Sequence, residues 1–106
     1  MAKKKEAASI REDNNSVAVS GIIKKVALKR DKVMAYDIEC EQPSPKDSSK
    51  KIRCWLTVKE FNPELEYEVD DIVDVAGHLV TESWEDKDKK MHYNLIVVAE
   101  RITESK

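Results

Sequence analysis

Residues 51–59 read KIRCWLTVK, in which apolar residues alternate with polar or basic ones. Side chains on a β-strand point to opposite faces with a period of two residues, so this stretch predicts a strand. The predicted core face comprises Ile52, Cys54, Leu56 and Val58. The opposite face carries Trp55 together with three cations, Lys51, Arg53 and Lys59. An indole exposed among positive charges is typical of a surface on which nucleic-acid bases stack. The alternative is that a loop or a partner subunit covers Trp55.

Four further stretches show the same alternation, which predicts strands at about 16–27, 33–41, 71–83 and 91–102. Gly21 and Gly77 interrupt the alternation, as glycine does where a strand bends or bulges. Tyr36 and Tyr93 fall on the apolar parity of their strands, so we expect both to lie in the core.

The connections between the predicted strands differ in composition. Residues 42–51, QPSPKDSSKK, contain two prolines and three serines, which predict a hairpin loop. Residues 85–90, EDKDKK, are all charged and predict the tip of a second hairpin. After Phe61, Asn62 as N-cap and Pro63 at the first helical position predict a short helix of about two turns.

Five strands with one short helix between the third and fourth predict an all-β fold, the five-stranded OB-fold barrel. Periodicity alone would also permit an SH3-like barrel or a small sandwich, and the position of the helix favours the OB-fold. We expect a flexible arm at residues 1–14, the barrel at 15–102 and a short tail at 103–106.

Composition and cysteine content limit the class of protein. A chain of 106 residues, 38% of them charged, is expected to form one domain with a heavily ionised surface. No window approaches the roughly 20 apolar residues of a membrane span, so we expect a soluble, cytoplasmic protein. Cys40 and Cys54 are expected to stay reduced and to face each other across neighbouring strands, both pointing inward. Neither cysteine has a second cysteine or a histidine at the spacing of zinc ligands, so no metal or cofactor is expected.

Charge is distributed unevenly along the chain. Residues 1–53 carry a formal net charge of +5 and residues 54–106 carry −7, within a total of −2. The segment 24–32 has five cations and one anion, whereas 60–74 has seven anions and no cation. If the two segments lie on different faces, one face can bind phosphate while the other repels it.

Three blocks of the sequence are similar to a known family. They are NSVAVSGIIKK from Asn15, WLTVKEF from Trp55, and the stretch 72–99, IVDVAGHLVTESWEDKDKKMHYNLIVVA. In their order and spacing they resemble the bacterial and phage single-stranded DNA-binding proteins, which are oligomeric OB-folds. The resemblance covers about residues 15–102.

The resemblance implies a set of nucleic-acid-binding residues. Trp55, Trp84 and Phe61 match positions where the family places base-stacking aromatics. The cations near the strands and hairpins correspond to its phosphate contacts, namely Arg53, Lys51, Lys59, Lys24, Lys25, Lys29, Arg30 and Lys32. Each of these residues also has a purely structural alternative. Trp84 could cap the end of the barrel, and Phe61 could fill the core. The cations of segment 24–32 could form a solvated basic turn.

Two departures from the family pattern bear on its role. The loop 42–51 lacks an aromatic residue, and the chain ends at Lys106 without the family's acidic C-terminal tip, which recruits replication proteins. The expectation is therefore a tailless relative, either of the kind found on phages, plasmids or mobile elements or a tailless primosome-type OB protein.

The sequence does not favour catalysis. No serine, histidine and aspartate constellation is identifiable, His78 and His92 are isolated in strands, and no glycine-rich loop suits a phosphate. We expect sequence-nonspecific binding of single-stranded DNA in replication or recombination, by a homodimer or homotetramer. The sequence cannot distinguish RNA binding from DNA binding, because a contact to the 2′-hydroxyl leaves no recognisable sequence pattern. A second interpretation is an OB-fold protein-interaction module with little affinity for nucleic acid.

Overall fold

The computed structural model describes residues 11–105 of the chain, and within them it shows five β-strands. These are β1 (Val17–Arg30), β2 (Val33–Pro43), β3 (Lys51–Phe61), β4 (Ile72–Glu85) and β5 (Met91–Glu104). All five predicted strands are confirmed, and each continues two or three residues beyond its predicted end. Residues 1–10, most of the predicted arm, lie outside the described residues. No helix in the described range is long and apolar enough to cross a membrane.

The strands close into a barrel in the order β1-β2-β3-β5-β4. Strand β3 runs parallel to β5, and the other pairs are antiparallel. Strand β1 serves two neighbours, because Val17–Ile22 pairs with β4 while Ile22–Arg30 pairs with β2. The predicted five-stranded barrel is thus confirmed, and the alternative of a small sandwich is excluded.

The core occupies the interior of this barrel and collects apolar side chains from every strand. Tyr36 is completely buried, as predicted, and its ring meets that of Tyr67 edge to face, with centroids 6.1 Å apart. The fully buried residues around it include Ile23, Met34, Ile38, Val58 and Val73.

Two glycines allow the strands to approach closely where the barrel curves. A methyl group on Gly21 would overlap the carbonyl oxygen of Glu39, and one on Gly77 would overlap that of Val98. The β4–β5 register shifts by one residue at Gly77, which is a β-bulge. The predicted irregularity is thus confirmed as a bulge at Gly77, whereas Gly21 keeps a regular register and lies at a close approach of β1 to β2.

The short helix predicted after Phe61 is not confirmed. Residues 62–71 form bends and turns, with no helix between β3 and β4. Asn62 has a φ of 55°, in the left-handed region, whereas an N-cap residue adopts an extended conformation. Tertiary bonds hold the segment instead: the Tyr67 amide donates to the Tyr36 hydroxyl, and the Tyr67 hydroxyl donates to the Ile102 carbonyl.

The β2–β3 and β4–β5 hairpins extend beyond the packed barrel, which overturns part of the predicted core. Val58 is buried and Leu56 half-buried, but Ile52 and Cys54, on the same face of β3, are exposed. Tyr93 is 68% exposed, so its predicted core position is wrong. The alternation correctly placed Val58 and Leu56 on the covered face of β3, but these strands are longer than the barrel that covers them.

Candidate nucleic-acid interface

A cleft separates the two projecting hairpins where β3 and β5 part. The two strands pair only from Val58 opposite Val97 to Glu60 opposite Ala99. Because they run parallel, the residues preceding these pairs lie at the same level on either side of the gap. Trp55 on β3 and Asn94 on β5 therefore stand on opposing walls of a cleft of about 400 Å³.

The cleft combines an aromatic, an apolar and a basic wall. Trp55 is 67% exposed and faces the cleft beside Leu56. Leu95, which is 59% exposed, lies on the β5 wall, and Lys24 and Lys25 of β1 complete the lining. The half-buried Asp37 also lines the cleft, so its cations outnumber its carboxylates two to one. An accessible indole with an apolar surface and a net positive charge in one groove is suited to a planar ring carrying a phosphate.

A β-bulge in β1 presents the two cleft lysines. The β1–β2 register shifts between Ile23 and Lys25, which leaves Lys24 as the extra residue. Lys25 is the register partner of Asp37 in the β1–β2 ladder. The Asp37 carboxylate accepts a hydrogen bond of 2.9 Å from the Thr57 hydroxyl. Within residues 11–105, neither Lys24 nor Lys25 forms an ion pair. Both ammonium groups are therefore available to an anionic ligand.

The three predicted cations of β3 are each paired with a carboxylate. Glu41 on the neighbouring strand lies 3.4 Å from the Lys51 ammonium and 3.6 Å from the Arg53 guanidinium. These pairs are solvent-exposed, so a phosphate can compete for the cations. Lys59 pairs with Glu82, and both side chains are half-buried. The structure thus places Lys59 in a contact between β3 and β4.

Trp84 lies near the tip of the β4–β5 hairpin, where one face of its ring is covered. The His92 ring stacks on it with centroids 5.4 Å apart and planes inclined by 17°. His92 Nε2 lies 2.7 Å from the Asp86 carboxylate. That contact and backbone donation from Lys90 and Asp88 hold the pKa of Asp86 below its usual range. Trp84 remains 50% exposed, so about half of the indole is accessible.

The other predicted site residues lie away from the cleft. Phe61 is six residues along β3 from Trp55, about 20 Å for an extended strand. It borders a pocket with Glu60, Glu64 and Glu100. Lys29 pairs with Glu66 at 3.0 Å, and Arg30 borders the same acidic segment. Lys32 is exposed in the β1–β2 turn, where its carbonyl accepts from the Asn62 amide.

Three residues of the cleft region were missed by the sequence prediction. Asn94 and Leu95 line the cleft, and Tyr93 is exposed next to them. The usable signal was the charged turn 85–90, which indicates a hairpin tip far from any core. Residues close to such a tip on either strand are exposed whatever their parity.

Comparison with known proteins supports the fold and gives no family by sequence. No protein-family model matches the chain, and no curated protein matches it either. The Plasmodium falciparum SSB in complex with single-stranded DNA superposes with a TM-score of 0.73 at 12% identity, covering 92% of this chain and 100% of that one. The mitochondrial single-stranded DNA-binding protein Rim1 of S. cerevisiae gives 0.59 at 17% identity, covering 88% and 96%.

A third similar structure is the N-terminal domain of PriB from Thermoanaerobacter tencongensis, described as dimeric. Its TM-score is 0.54 at 18% identity, covering 89% of this chain and 99% of that one. At such identities the likeness shows the fold alone. The chain therefore has the OB-fold barrel of these three proteins.

Proposed function

We propose that this protein binds single-stranded DNA without sequence specificity, and that the strand runs through the cleft between the β2–β3 and β4–β5 hairpins. The observation that carries the proposal is the exposed Trp55 ring beside Lys24 and Lys25 in one cleft. Every base has a π-face, so an indole accepts any base, while the lysines neutralise the backbone. The barrel shared with two single-stranded DNA-binding proteins supports the same function.

The proposed path gives each group a distinct role. One base stacks on Trp55, with Leu95 and Asn94 on the opposite wall, and Lys24 and Lys25 contact the adjoining phosphates. Where the DNA strand leaves the cleft, Lys51 and Arg53 release the Glu41 carboxylate and bind phosphate instead. The exposed half of Trp84 and the Tyr93 ring offer further stacking surfaces on the second hairpin. The proposed role is binding without catalysis, and no cofactor takes part.

Phe61, Lys59 and Lys29 lie outside the proposed path. The carboxylates around Phe61 would repel a phosphate backbone, and Lys59 and Lys29 are already paired with Glu82 and Glu66. Segments 24–32 and 60–74 contact each other through the Lys29–Glu66 pair, so the proposal assigns the phosphate path to Lys24 and Lys25, the two cations of the basic segment that line the cleft.

A labelled oligonucleotide tests this function directly. We expect fluorescein-labelled oligo-dT of about 16 nucleotides, the upper site size of one OB-fold, to bind at low salt, and the matched duplex to bind more weakly. Trp55→Ala should weaken binding about 5- to 150-fold, the equivalent of about 1–3 kcal/mol for one stacked base. Phe61→Ala is the aromatic control outside the cleft and should change the Kd little. Equal losses in the two variants would refute the proposed path.

Self-association is part of the proposal. Within residues 11–105, each half of β1 pairs with one barrel strand, so its other edge can pair with a second chain. The similar PriB domain is described as dimeric. Light scattering coupled to size exclusion should give a mass of two or four chains. A single-chain mass at high protein concentration would overturn this part.

A second function is a protein-interaction module, and a specific observation favours it. Met91, Tyr93 and Leu95 form an exposed apolar row on one face of β5. Folded protein that shows no affinity for oligo-dT at low salt would favour this second function.

A further inference from the structure

The two cysteines of the chain lie directly opposite each other in the β2–β3 ladder. Cys40 is the register partner of Cys54, and both are free thiols. The sequence prediction that they face each other is confirmed, but the expectation that both are buried is not. Cys40 is half-buried and packs against the core, whereas Cys54 is exposed.

The geometry of directly opposed residues suits a disulfide. Opposed residues in an antiparallel pair have Cα atoms about 4.5–5.5 Å apart, and their side chains lie on the same face. Disulfides span Cα separations of about 4.4–6.8 Å. The backbone separation of register partners such as Cys40 and Cys54 therefore falls within the range that a disulfide spans.

The two thiols differ in accessibility, which gives each a separate role. Burial raises the pKa of the Cys40 thiol, and the neighbouring Cys54 raises it further. Cys40 thus remains a protonated thiol shielded by the core, while Cys54 is open to solutes. An exposed thiol with a second thiol directly beside it is the arrangement in which oxidation stops at a disulfide.

We propose that Cys54 and Cys40 form an oxidation site for hydroperoxides. The Cys54 thiolate attacks one oxygen of hydrogen peroxide, the O–O bond breaks, and the released hydroxide takes a proton to become water. The resulting sulfenic acid is attacked by the Cys40 sulfur, which loses its proton, and a second water leaves. Two thiols and one peroxide thus give one cross-strand disulfide and two waters, and a dithiol reductant reverses the change.

This site does not depend on nucleic-acid binding. The Cys54 side chain lies on the face of β3 opposite to that of Trp55, because the two residues are consecutive in a strand. The bond would tie β2 to β3 directly below the hairpin loop while leaving the Trp55 face open.

The test is treatment of the reduced protein with one equivalent of hydrogen peroxide, with and without dimedone, which traps sulfenic acid. In the wild type we expect loss of both free thiols, a mass lower by two hydrogens, monomer on a non-reducing gel, and full recovery with dithiothreitol. In Cys40→Ser, dimedone should accumulate on Cys54, since no resolving thiol is present. Cys54→Ser should react far more slowly, because only the shielded thiol remains.

Three results would overturn the proposal. They are dimedone labelling of the wild type as strong as that of Cys40→Ser, retention of both wild-type thiols at a dose that oxidises Cys40→Ser, and a disulfide that joins two chains. The wild-type mass and gel decide the question even where a serine variant folds poorly.

Discussion

Trp84 and His92 stack across the β4–β5 hairpin, with their ring centroids 5.4 Å apart and their planes inclined by 17°. They are register partners in this antiparallel pair, and the carboxylate of Asp86 in the turn lies 2.7 Å from Nε2 of the histidine. The hairpin tip is thus organised by its own side chains far from the core. The same stack leaves Trp84 with one free face, whereas Trp55 has no aromatic partner among the described residues.

Removal of the histidine ring should weaken the hairpin. We expect His92→Ala to lower the free energy of unfolding by about 0.5–1.5 kcal/mol, the contribution of an aromatic pair. Urea denaturation measures the loss, and His78→Ala is the control, since His78 contacts Glu100 on the surface and stacks on no aromatic ring within residues 11–105. An equal loss in both variants would contradict a role for the stack.

The lowered pKa of Asp86 predicts a stability contribution that is lost in acid. A carboxyl whose folded-state pKa is depressed stabilises the protein above its ordinary pKa of about 3.9, and the contribution disappears as the pH falls through the lower folded value. Asp86→Asn retains an oxygen for the Lys90 and Asp88 amides but removes the charge. The Tm of wild type should exceed that of the variant at pH 7, and the difference should shrink as the pH falls through the lowered folded-state pKa of Asp86. A constant difference across this range would rule out the carboxylate as the cause.

Glu60 should behave in the opposite sense. One of its carboxylate oxygens is buried and has no hydrogen-bond partner within the described part of the chain, and burial followed by repulsion from Glu64 raises its pKa. A raised folded pKa costs stability once the pH rises above the ordinary carboxyl value of about 4.3. Glu60→Gln should therefore raise the Tm at pH 7, and the gain should vanish below about pH 4. The exposed Glu64→Gln is the control and should raise it less.

The cleft lysines should determine the salt dependence of binding. Each phosphate contact on a single strand contributes about 0.7 to the slope of log K against log salt. The double variant Lys24→Gln, Lys25→Gln should therefore lower the magnitude of the slope by about 1.4. Lys29→Gln with Arg30→Gln removes the same charge beside the acidic segment and should change the slope less. A larger change of slope in the Lys29→Gln, Arg30→Gln variant than in the Lys24→Gln, Lys25→Gln variant would instead place the phosphate path at the β1–β2 turn.

The strands could be predicted from the sequence because part of each strand is buried on one face. Val73 and Val75 on β4, like Met34 and Tyr36 on β2, repeat with period two, and that period appears directly in the sequence. The failure at residues 62–71 has a tertiary cause. Local signals favoured a helix, but the two hydrogen bonds of Tyr67 hold the segment against β2 and β5.

The candidate site could be predicted only in part, because the cleft is made by strands distant in sequence. Trp55 and the lysines of segment 24–32 were recognisable by residue type. Their meeting with Asn94 and Leu95 depends on the parallel β3–β5 pairing, which no local pattern predicts. The contact of Lys59 with Glu82 likewise spans two strands, so the sequence could not separate this paired lysine from Lys24 and Lys25.

The most direct test of the central claim is the fluorescence of Trp55 during titration with oligo-dT. Trp84→Phe leaves Trp55 as the sole tryptophan, and the reciprocal Trp55→Phe protein reports on Trp84. If bases stack in the cleft, the emission of Trp55 should be strongly quenched at low salt and restored by added salt, and Trp84 should respond less. Unchanged Trp55 emission from a folded protein at saturating oligo-dT would contradict the account.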